Sequence, residues 1–143
     1  MKKIISICLL AGLTMAFIAN NKKPESSVNG IKFNHITLKK AKEEAKSSGK
    51  IIFIDCYTSW CGPCKQMAAT SFQNEEVAKI YNEKFVNIKV DIEKDADGPE
   101  LARMYKISAY PTLLYINESG KLVKSVIGAQ SADKLISIAN SLN

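Results

Sequence analysis

The stretch of sequence that decides the fold is IIFIDCYTSWCGPCK, residues 51–65. Ile51–Tyr57 is a nearly continuous apolar run rich in β-branched residues, a pattern typical of a strand that is covered on both faces. A helix should begin near Cys61, because Pro63 fits a helix only in the first turn, where its missing N–H leaves no hydrogen bond unmade. The stretch therefore predicts a central, parallel-type strand that leads into a helix with two cysteines at its start.

Helices and strands alternate on both sides of this stretch. Upstream, residues 37–48 predict an exposed helix that is capped by Thr37 and ended by Gly49. We expect the cysteine helix to run to Phe72. The elements predicted after it are a helix over 74–82, a strand over 85–92, a loop over 95–99, a short helix over 100–105, a hairpin of 112–117 with 121–128, and a helix over 131–142. Early alternation with a late hairpin predicts an α/β fold whose mixed β-sheet is sandwiched by helices.

The start of the chain differs from the rest. Lys2 and Lys3 precede an apolar run over residues 4–19 that ends in small side chains, the layout of a secretory signal peptide over residues 1–19. The run could also stay uncleaved as an anchor, because it is only slightly shorter than a membrane-spanning helix. Residues 20–30 are polar and predict a flexible spacer, and residues 31–143 are long enough for one domain.

The charge of the chain gives little support to a nucleic-acid surface. The net charge of +6 falls to +4 when Lys2 and Lys3 leave with the signal. The remaining lysines are spread along the sequence, and Arg103 is the only arginine. Nucleic-acid surfaces more typically cluster their cations and use arginine forks. We therefore expect a solvated basic surface and no nucleic-acid partner.

The cysteine pair has three interpretations. A zinc or iron–sulfur site generally needs three or four protein ligands, but Cys8 lies in the signal, Cys56 lies in the predicted buried strand, and His35 is the only histidine. A structural disulfide is weakly supported, because a bond across two residues constrains the unfolded chain little. A redox couple fits best, since one thiol can attack a partner disulfide and the other can resolve the mixed disulfide.

Position at the helix start distinguishes the two thiols. The positive end of a helix and its unpaired N–H groups favour a thiolate. Cys61 has this position, and we expect it to be the accessible, attacking nucleophile. Cys64 lies one turn further in, where burial should keep its thiol protonated, and we expect it to be the resolving thiol.

Asp55 interrupts the apolar strand six residues before Cys61. A buried acid is costly unless it has a partner or a task. We expect it to lie beneath the cysteine pair and to take the Cys64 proton, through water, as Cys64 attacks. The alternative is an exposed aspartate at the end of the strand. Cys56 should point to the opposite face of the sheet, away from the cysteine helix, as a small buried apolar residue.

Over residues 32–142 the sequence resembles the thioredoxin family. The motif IDCYTSWCGPCK is similar to the family's central strand and active site, AYPTLLYI places Pro111 where the family has a cis-proline, and Gly128-Ala129 matches its groove glycine. The resemblance implies a thioredoxin fold, a role for Asp55 as the buried acid, and a lysine near the position of Lys89 beside it. It also assigns a set of residues to substrate binding: Trp60, Gly62, Pro63, Tyr110, Pro111 and Gly128.

The resemblance also implies a direction and a place of action. Gly62-Pro63 resembles the reducing members of the family, and the middle of the chain resembles relatives of the cell envelope such as the C-terminal domain of the protein DsbD. Together with the predicted signal, this implies a periplasmic reductase of protein disulfides, which we expect to be a monomer. No stretch of the chain indicates a nucleotide or flavin site, so we expect no cofactor and a supply of electrons from a membrane thiol donor of DsbD type. The alternatives are a disulfide oxidase or isomerase, or a redox-inactive binding module that uses only the groove.

Overall fold

The computed structural model describes residues 29–142. Within these residues there are five α-helices, one 3-10 helix and four strands. In chain order these are α1 (Leu38–Ser48), β1 (Ile51–Tyr57), α2 (Gly62–Ala69), a 3-10 helix (Ser71–Gln73), α3 (Glu75–Lys84), β2 (Phe85–Asp91), α4 (Gly98–Tyr105), β3 (Thr112–Ile116), β4 (Leu122–Ile127) and α5 (Ala132–Ser141). The predicted signal peptide and most of the spacer lie outside the described residues. Within residues 29–142, no helix has both the length and the apolar character needed to cross a membrane.

The four strands form one mixed sheet in the order β2-β1-β3-β4. β1 runs parallel to β2 and antiparallel to β3, and β4 completes the hairpin with β3. β1 is therefore central, as predicted, although it is parallel on one side only. This arrangement is the thioredoxin fold predicted from the sequence.

The two faces of the sheet bury separate cores, because successive strand residues point to opposite sides. Ile52, Ile54 and Cys56 of β1 pack with residues of α1 and α4. Phe53 packs on the other face, with Met67 of α2 and with α3 and α5. The prediction for Cys56 is confirmed, since its side chain is buried on the face opposite the cysteine helix.

Two predicted boundaries were wrong. The cysteine helix ends at Ala69 rather than at Phe72, because Thr70 leaves the helical region of backbone space at φ −122° and ψ −81°. α4 begins at Gly98, inside the predicted loop, where a Cβ would collide with the Ile92 carbonyl group. The predicted caps of α1 are confirmed: the Thr37 side chain accepts from the Lys40 N–H, and Gly49 adopts φ 69°.

A pair of fully buried tyrosines links α3, α5 and β3. The hydroxyl of Tyr81 on α3 donates to the Leu135 carbonyl on α5 at 3.1 Å, and it lies 2.7 Å from the hydroxyl of Tyr115 on β3. Tyr81 has one proton to give, so Tyr115 must donate to Tyr81. Burial raises the pKa of Tyr81 to about 12 and also raises the pKa of Tyr115, so both stay neutral.

This chain of hydrogen bonds predicts an asymmetry between two conservative variants. Tyr81→Phe leaves the buried Tyr115 O–H without an acceptor and should lower the free energy of unfolding by about 2 kcal/mol. Tyr115→Phe spares the bond from Tyr81 to Leu135 and should cost about 1 kcal/mol or less. Urea unfolding of both variants checks the order, and a larger loss for Tyr115→Phe would contradict it.

Candidate active site

The two cysteines stand where the sheet gives way to a helix. β1 ends at Tyr57, a short turn follows, and Cys61 is the N-cap residue of α2. The Cys61 N–H donates to the Thr58 carbonyl at 3.2 Å, which fixes the turn. The Cys61 sulfur accepts the Cys64 N–H at 3.2 Å, so it takes the place of a capping oxygen. Pro63 lies in the first turn of the helix, as predicted.

Cys61 and Cys64 form a disulfide, with an S–S distance of 2.02 Å and a Cα–Cα distance of 5.3 Å. Both residues are only 3% exposed. This burial belongs to the oxidised form, and the expectation that Cys61 is the accessible, attacking sulfur of the reduced protein stays a prediction. The two sulfurs differ in their hydrogen bonding to the helix, since the Cys61 sulfur accepts the Cys64 backbone N–H in the N-cap position.

Asp55 is completely buried and faces Lys89, its neighbour in the parallel register of β1 with β2. The Lys89 Nζ lies 3.2 Å from Oδ2 in an ion pair, and neither carboxylate oxygen has a hydrogen-bond partner of good geometry among residues 29–142. Burial raises the pKa of Asp55 to about 6, an increase that the positive charge of Lys89 partly offsets. Asp55 can therefore exchange a proton near neutral pH, which a proton acceptor in the site requires. The alternative of an exposed strand-end aspartate is excluded.

Aromatic rings surround the Lys89 ammonium group. It lies 4.7 Å from the ring centre of Tyr57, 5.4 Å from that of Phe33 and 5.8 Å from that of Phe72. Ring faces attract a cation, which helps to hold a charged side chain that is 28% exposed next to the buried acid. These rings were not predicted from the sequence. Only Tyr57 carried a signal, because it lies two residues after Asp55 on the same strand face.

Four of the six residues assigned to substrate binding form two contacting pairs. The peptide bond between Tyr110 and Pro111 is cis, as expected, and the Gly128 N–H donates to the Pro111 carbonyl at 2.8 Å. Trp60 is 64% exposed and packs edge-to-face on Tyr110, with ring centres 5.9 Å apart. Gly62 is exposed beside Cys61, as is Pro63.

Glu93 also belongs to this surface and was not predicted. Its carboxylate accepts a hydrogen bond from the Trp60 indole N–H at 2.9 Å. The two residues are 33 positions apart, and Glu93 lies in the segment between β2 and α4. No sequence pattern marks such a contact, because it depends on the path of that segment. The bond holds an exposed indole in one orientation next to the disulfide.

Metal-ligating side chains do not gather anywhere in the described part of the chain. Residues 29–142 contain no group of three or more histidines, cysteines or acidic residues placed to hold an ion. His35 is exposed, as expected for a surface residue.

Comparisons with known proteins agree with this geometry. The family model "Thioredoxin" matches residues 32–141. Thioredoxin-1 of Drosophila melanogaster is 36% identical over 73 residues, which cover 51% of this chain and 63% of that protein. A solved structure described as a candidate disulphide-isomerase of Bacteroides thetaiotaomicron is 37% identical, with a TM-score of 0.70 over 81% of this chain and 98% of that one. The DsbD C-terminal domain of Neisseria meningitidis is 25% identical, with a TM-score of 0.62 over 79% of this chain and 99% of that one.

Proposed function

The chain belongs to the thioredoxin family of thiol-disulfide oxidoreductases, and on this premise we propose that it reduces disulfide bonds of other proteins outside the cytoplasm. The observation that carries the proposal is the Cys61–Cys64 disulfide at the start of α2, in which the helix N–H of Cys64 donates to the Cys61 sulfur. A thiolate at Cys61 would keep that donor and the field of the helix. Cys61 is therefore the group best placed to attack.

In the reduced protein, the Cys61 thiolate attacks one sulfur of the partner's disulfide. An S–S bond forms between Cys61 and the partner, and the partner's other sulfur leaves as a thiolate. Cys64 then attacks the Cys61 sulfur, which releases the second partner thiolate and forms the Cys61–Cys64 disulfide. Asp55 takes the Cys64 proton, since its raised pKa of about 6 suits a proton acceptor at neutral pH.

The surface beside Cys61 suits an extended segment of a partner protein. We propose that the segment lies along Tyr110 and Pro111, with its backbone paired to that of Tyr110, as in strand addition at a short edge. Trp60 supplies a fixed apolar surface on one side, because Tyr110 and Glu93 hold its ring. Gly62 and Pro63 flank the attacking sulfur, and Gly128 lines the other side of the groove, where a Cβ would meet no atom within 4 Å.

The proposed place of action rests on the start of the sequence and on the likeness to the DsbD domain. Residues 1–19 have the layout of a secretory signal, cleaved or kept as an anchor. The resemblance to the DsbD C-terminal domain supports a supply of electrons from a membrane thiol protein of DsbD type. No cofactor is needed for this, because thiol–disulfide exchange moves the electrons directly between sulfurs.

An isomerase or oxidase is the second candidate, because the Bacteroides thetaiotaomicron structure is described as a candidate disulphide-isomerase. The reduction potential of the Cys61–Cys64 couple separates the two. We expect a reduction potential close to that of thioredoxin, about −270 mV, whereas the potential of an isomerase would be about −180 mV. Equilibration with glutathione mixtures measures it.

Pro63→His serves as the matched variant for this measurement, because strong oxidants of this fold commonly have a histidine beside the second cysteine. We expect it to raise the potential by about 30 mV or more, which corresponds to about 1.4 kcal/mol for a two-electron couple. A wild-type value that already equals that of an isomerase would overturn the assignment as a reductase.

A further inference from the structure

A small cavity is bordered by the resolving cysteine and by Lys89, the partner of the buried acid in the ion pair. Its volume is about 90 Å³, and its wall includes Cys64 of α2, Thr58 of the turn after β1, and Lys89 of β2. A water molecule needs about 10–15 Å³ of such space, so the cavity can hold water. Lys89 reaches from its wall to Asp55. The cavity therefore leads from the Cys64 side chain toward the group that takes its proton.

Thr58 is a residue of this wall whose hydroxyl group has no role in the local structure. Its side chain is fully buried, and its hydroxyl has no hydrogen-bond partner among the described residues. Its backbone carbonyl is already engaged, since it accepts the Cys61 N–H. An unpaired buried hydroxyl costs about 1–3 kcal/mol, and valine has nearly the same shape without that cost. A threonine here implies that its hydroxyl has a task.

We propose that Thr58 is a positioning residue for the resolving step: its hydroxyl orients a water in this cavity, and that water carries the Cys64 proton toward Lys89 and Asp55. The proposal rests on the proposed function and extends it. A bridging water needs two to four polar partners. Thr58, Cys64 and Lys89 all line this one space, and they carry a hydroxyl, a sulfur and an ammonium group.

The resolving step balances as follows in the mixed disulfide. The Cys64 sulfur bonds to the Cys61 sulfur, the bond from Cys61 to the partner breaks, and its electron pair leaves with the partner's sulfur as a thiolate. The Cys64 proton passes to the water. The water gives a proton to Lys89 while Lys89 gives one to Asp55 Oδ2, 3.2 Å away, so Lys89 keeps its charge and Asp55 becomes neutral.

The test follows the two sulfur reactions separately. The reduced full-length protein is mixed in a stopped-flow instrument with one equivalent of the chromogenic disulfide dithiobis(nitrobenzoate). The first release of coloured thiolate reports attack by Cys61, and the second reports resolution by Cys64. We expect Thr58→Val to slow the second release about tenfold and to leave the first release unchanged. The loss is a fraction of the rate acceleration that a positioned proton acceptor provides. Thr58→Ser keeps the hydroxyl and should restore the second release.

The pH dependence adds a measurement that a purely structural role would not change. The ionisable groups that border the cavity are Tyr57, Cys64, Lys65 and Lys89. Asp55 lies behind Lys89, and its neighbour on β3 is the apolar Leu113. In the wild type, the rate of the second release should rise through pH about 6 as Asp55 loses its proton. Thr58→Val should lose this inflection, and Thr58→Ser should keep it.

The possible results separate clearly. An unchanged second release in Thr58→Val overturns the proposal, and so does an equal slowing of both releases, which would indicate a general distortion. If Thr58→Val does not fold, Thr58→Ala compared with Thr58→Ser gives the same contrast. Absence of any rapid first release in the wild type would instead contradict the proposed function, and a normal wild type with an insensitive Thr58→Val would leave that function standing.

Discussion

Cys61→Ser should reduce disulfide exchange to the uncatalysed rate, whereas Cys64→Ser should still attack and then remain bound to its partner. The reason is the division of roles at the start of α2, where the Cys61 sulfur holds the capping position and Cys64 follows one turn later. Without Cys61 no sulfur is placed to attack. Without Cys64 the mixed disulfide has no internal thiol to break it. Turnover with a disulfide-bonded protein substrate measures the first effect, and mass spectrometry of covalent adducts measures the second.

Cys56→Ala is the matched control for these variants. Cys56 is the free cysteine of the described chain, it is fully buried on the opposite face of the sheet, and burial raises the pKa of its thiol far above the ordinary value. We expect its turnover to equal that of the wild type. Adducts on Cys64 in Cys61→Ser, formed as fast as those on Cys61 in Cys64→Ser, would contradict the division of roles.

The double variant Cys61→Ser/Cys64→Ser distinguishes catalysis from binding alone. If the double variant bound partners as tightly as the wild type and replaced it in the native host, the redox-inactive binding module would be favoured. The groove beside Trp60 and Tyr110 would then be the binding site. Loss of the phenotype with retained folding supports the exchange reaction. In the native host, the Cys64→Ser variant also identifies the partners, because they remain linked to Cys61.

Local physical rules were sufficient to predict the centre of the fold. The apolar run of β1 requires cover on both faces, and the structure supplies it with two helical layers. Pro63 restricts the helix start to within about a turn, so the placement of Cys61 at the N-cap followed from the sequence. Asp55 could be predicted to be buried because it interrupts a run that has to be covered on both faces.

Contacts between distant segments could not be predicted in the same way. The indole of Trp60 bonds to Glu93, and the ammonium of Lys89 lies over rings from Phe33 and Phe72. These contacts depend on loop paths and on the β-bridge that pairs Asn34 with Ile88 of β2, which no local pattern encodes. The exposure of the reduced Cys61 sulfur stays a prediction, because the structure has the oxidised pair. The buried hydroxyl of Thr58 became a question only when its surroundings were known.

Asp55→Asn should make the folded protein more stable at neutral pH and less active. The pKa of Asp55 rises from an ordinary 3.8 to about 6 on folding, chiefly through burial. Each unit of pKa shift corresponds to about 1.4 kcal/mol, so ionised Asp55 destabilises the native state by about 3 kcal/mol at pH 7. Asparagine removes most of this cost, while the loss of a proton acceptor should slow the resolving step by about 10- to 100-fold. Urea unfolding of the oxidised protein and stopped-flow exchange measure the two effects.

The sign of the pH dependence makes this prediction specific. Between pH about 4 and about 6 the native state holds the Asp55 proton more tightly than the unfolded chain does, so the stability of the wild type should fall as the pH rises through this window. The curve for Asp55→Asn should lack that fall, and the two curves should meet near pH 4. Lys89→Met is the control with the opposite effect, because removing the ammonium that lies 3.2 Å from Asp55 should raise the pKa of the acid further and extend the loss of stability to higher pH. If Asp55→Asn proved less stable than the wild type at pH 7, the carboxylate would have to be stabilised in the native state, and it could not serve as the proton acceptor for Cys64 near neutral pH.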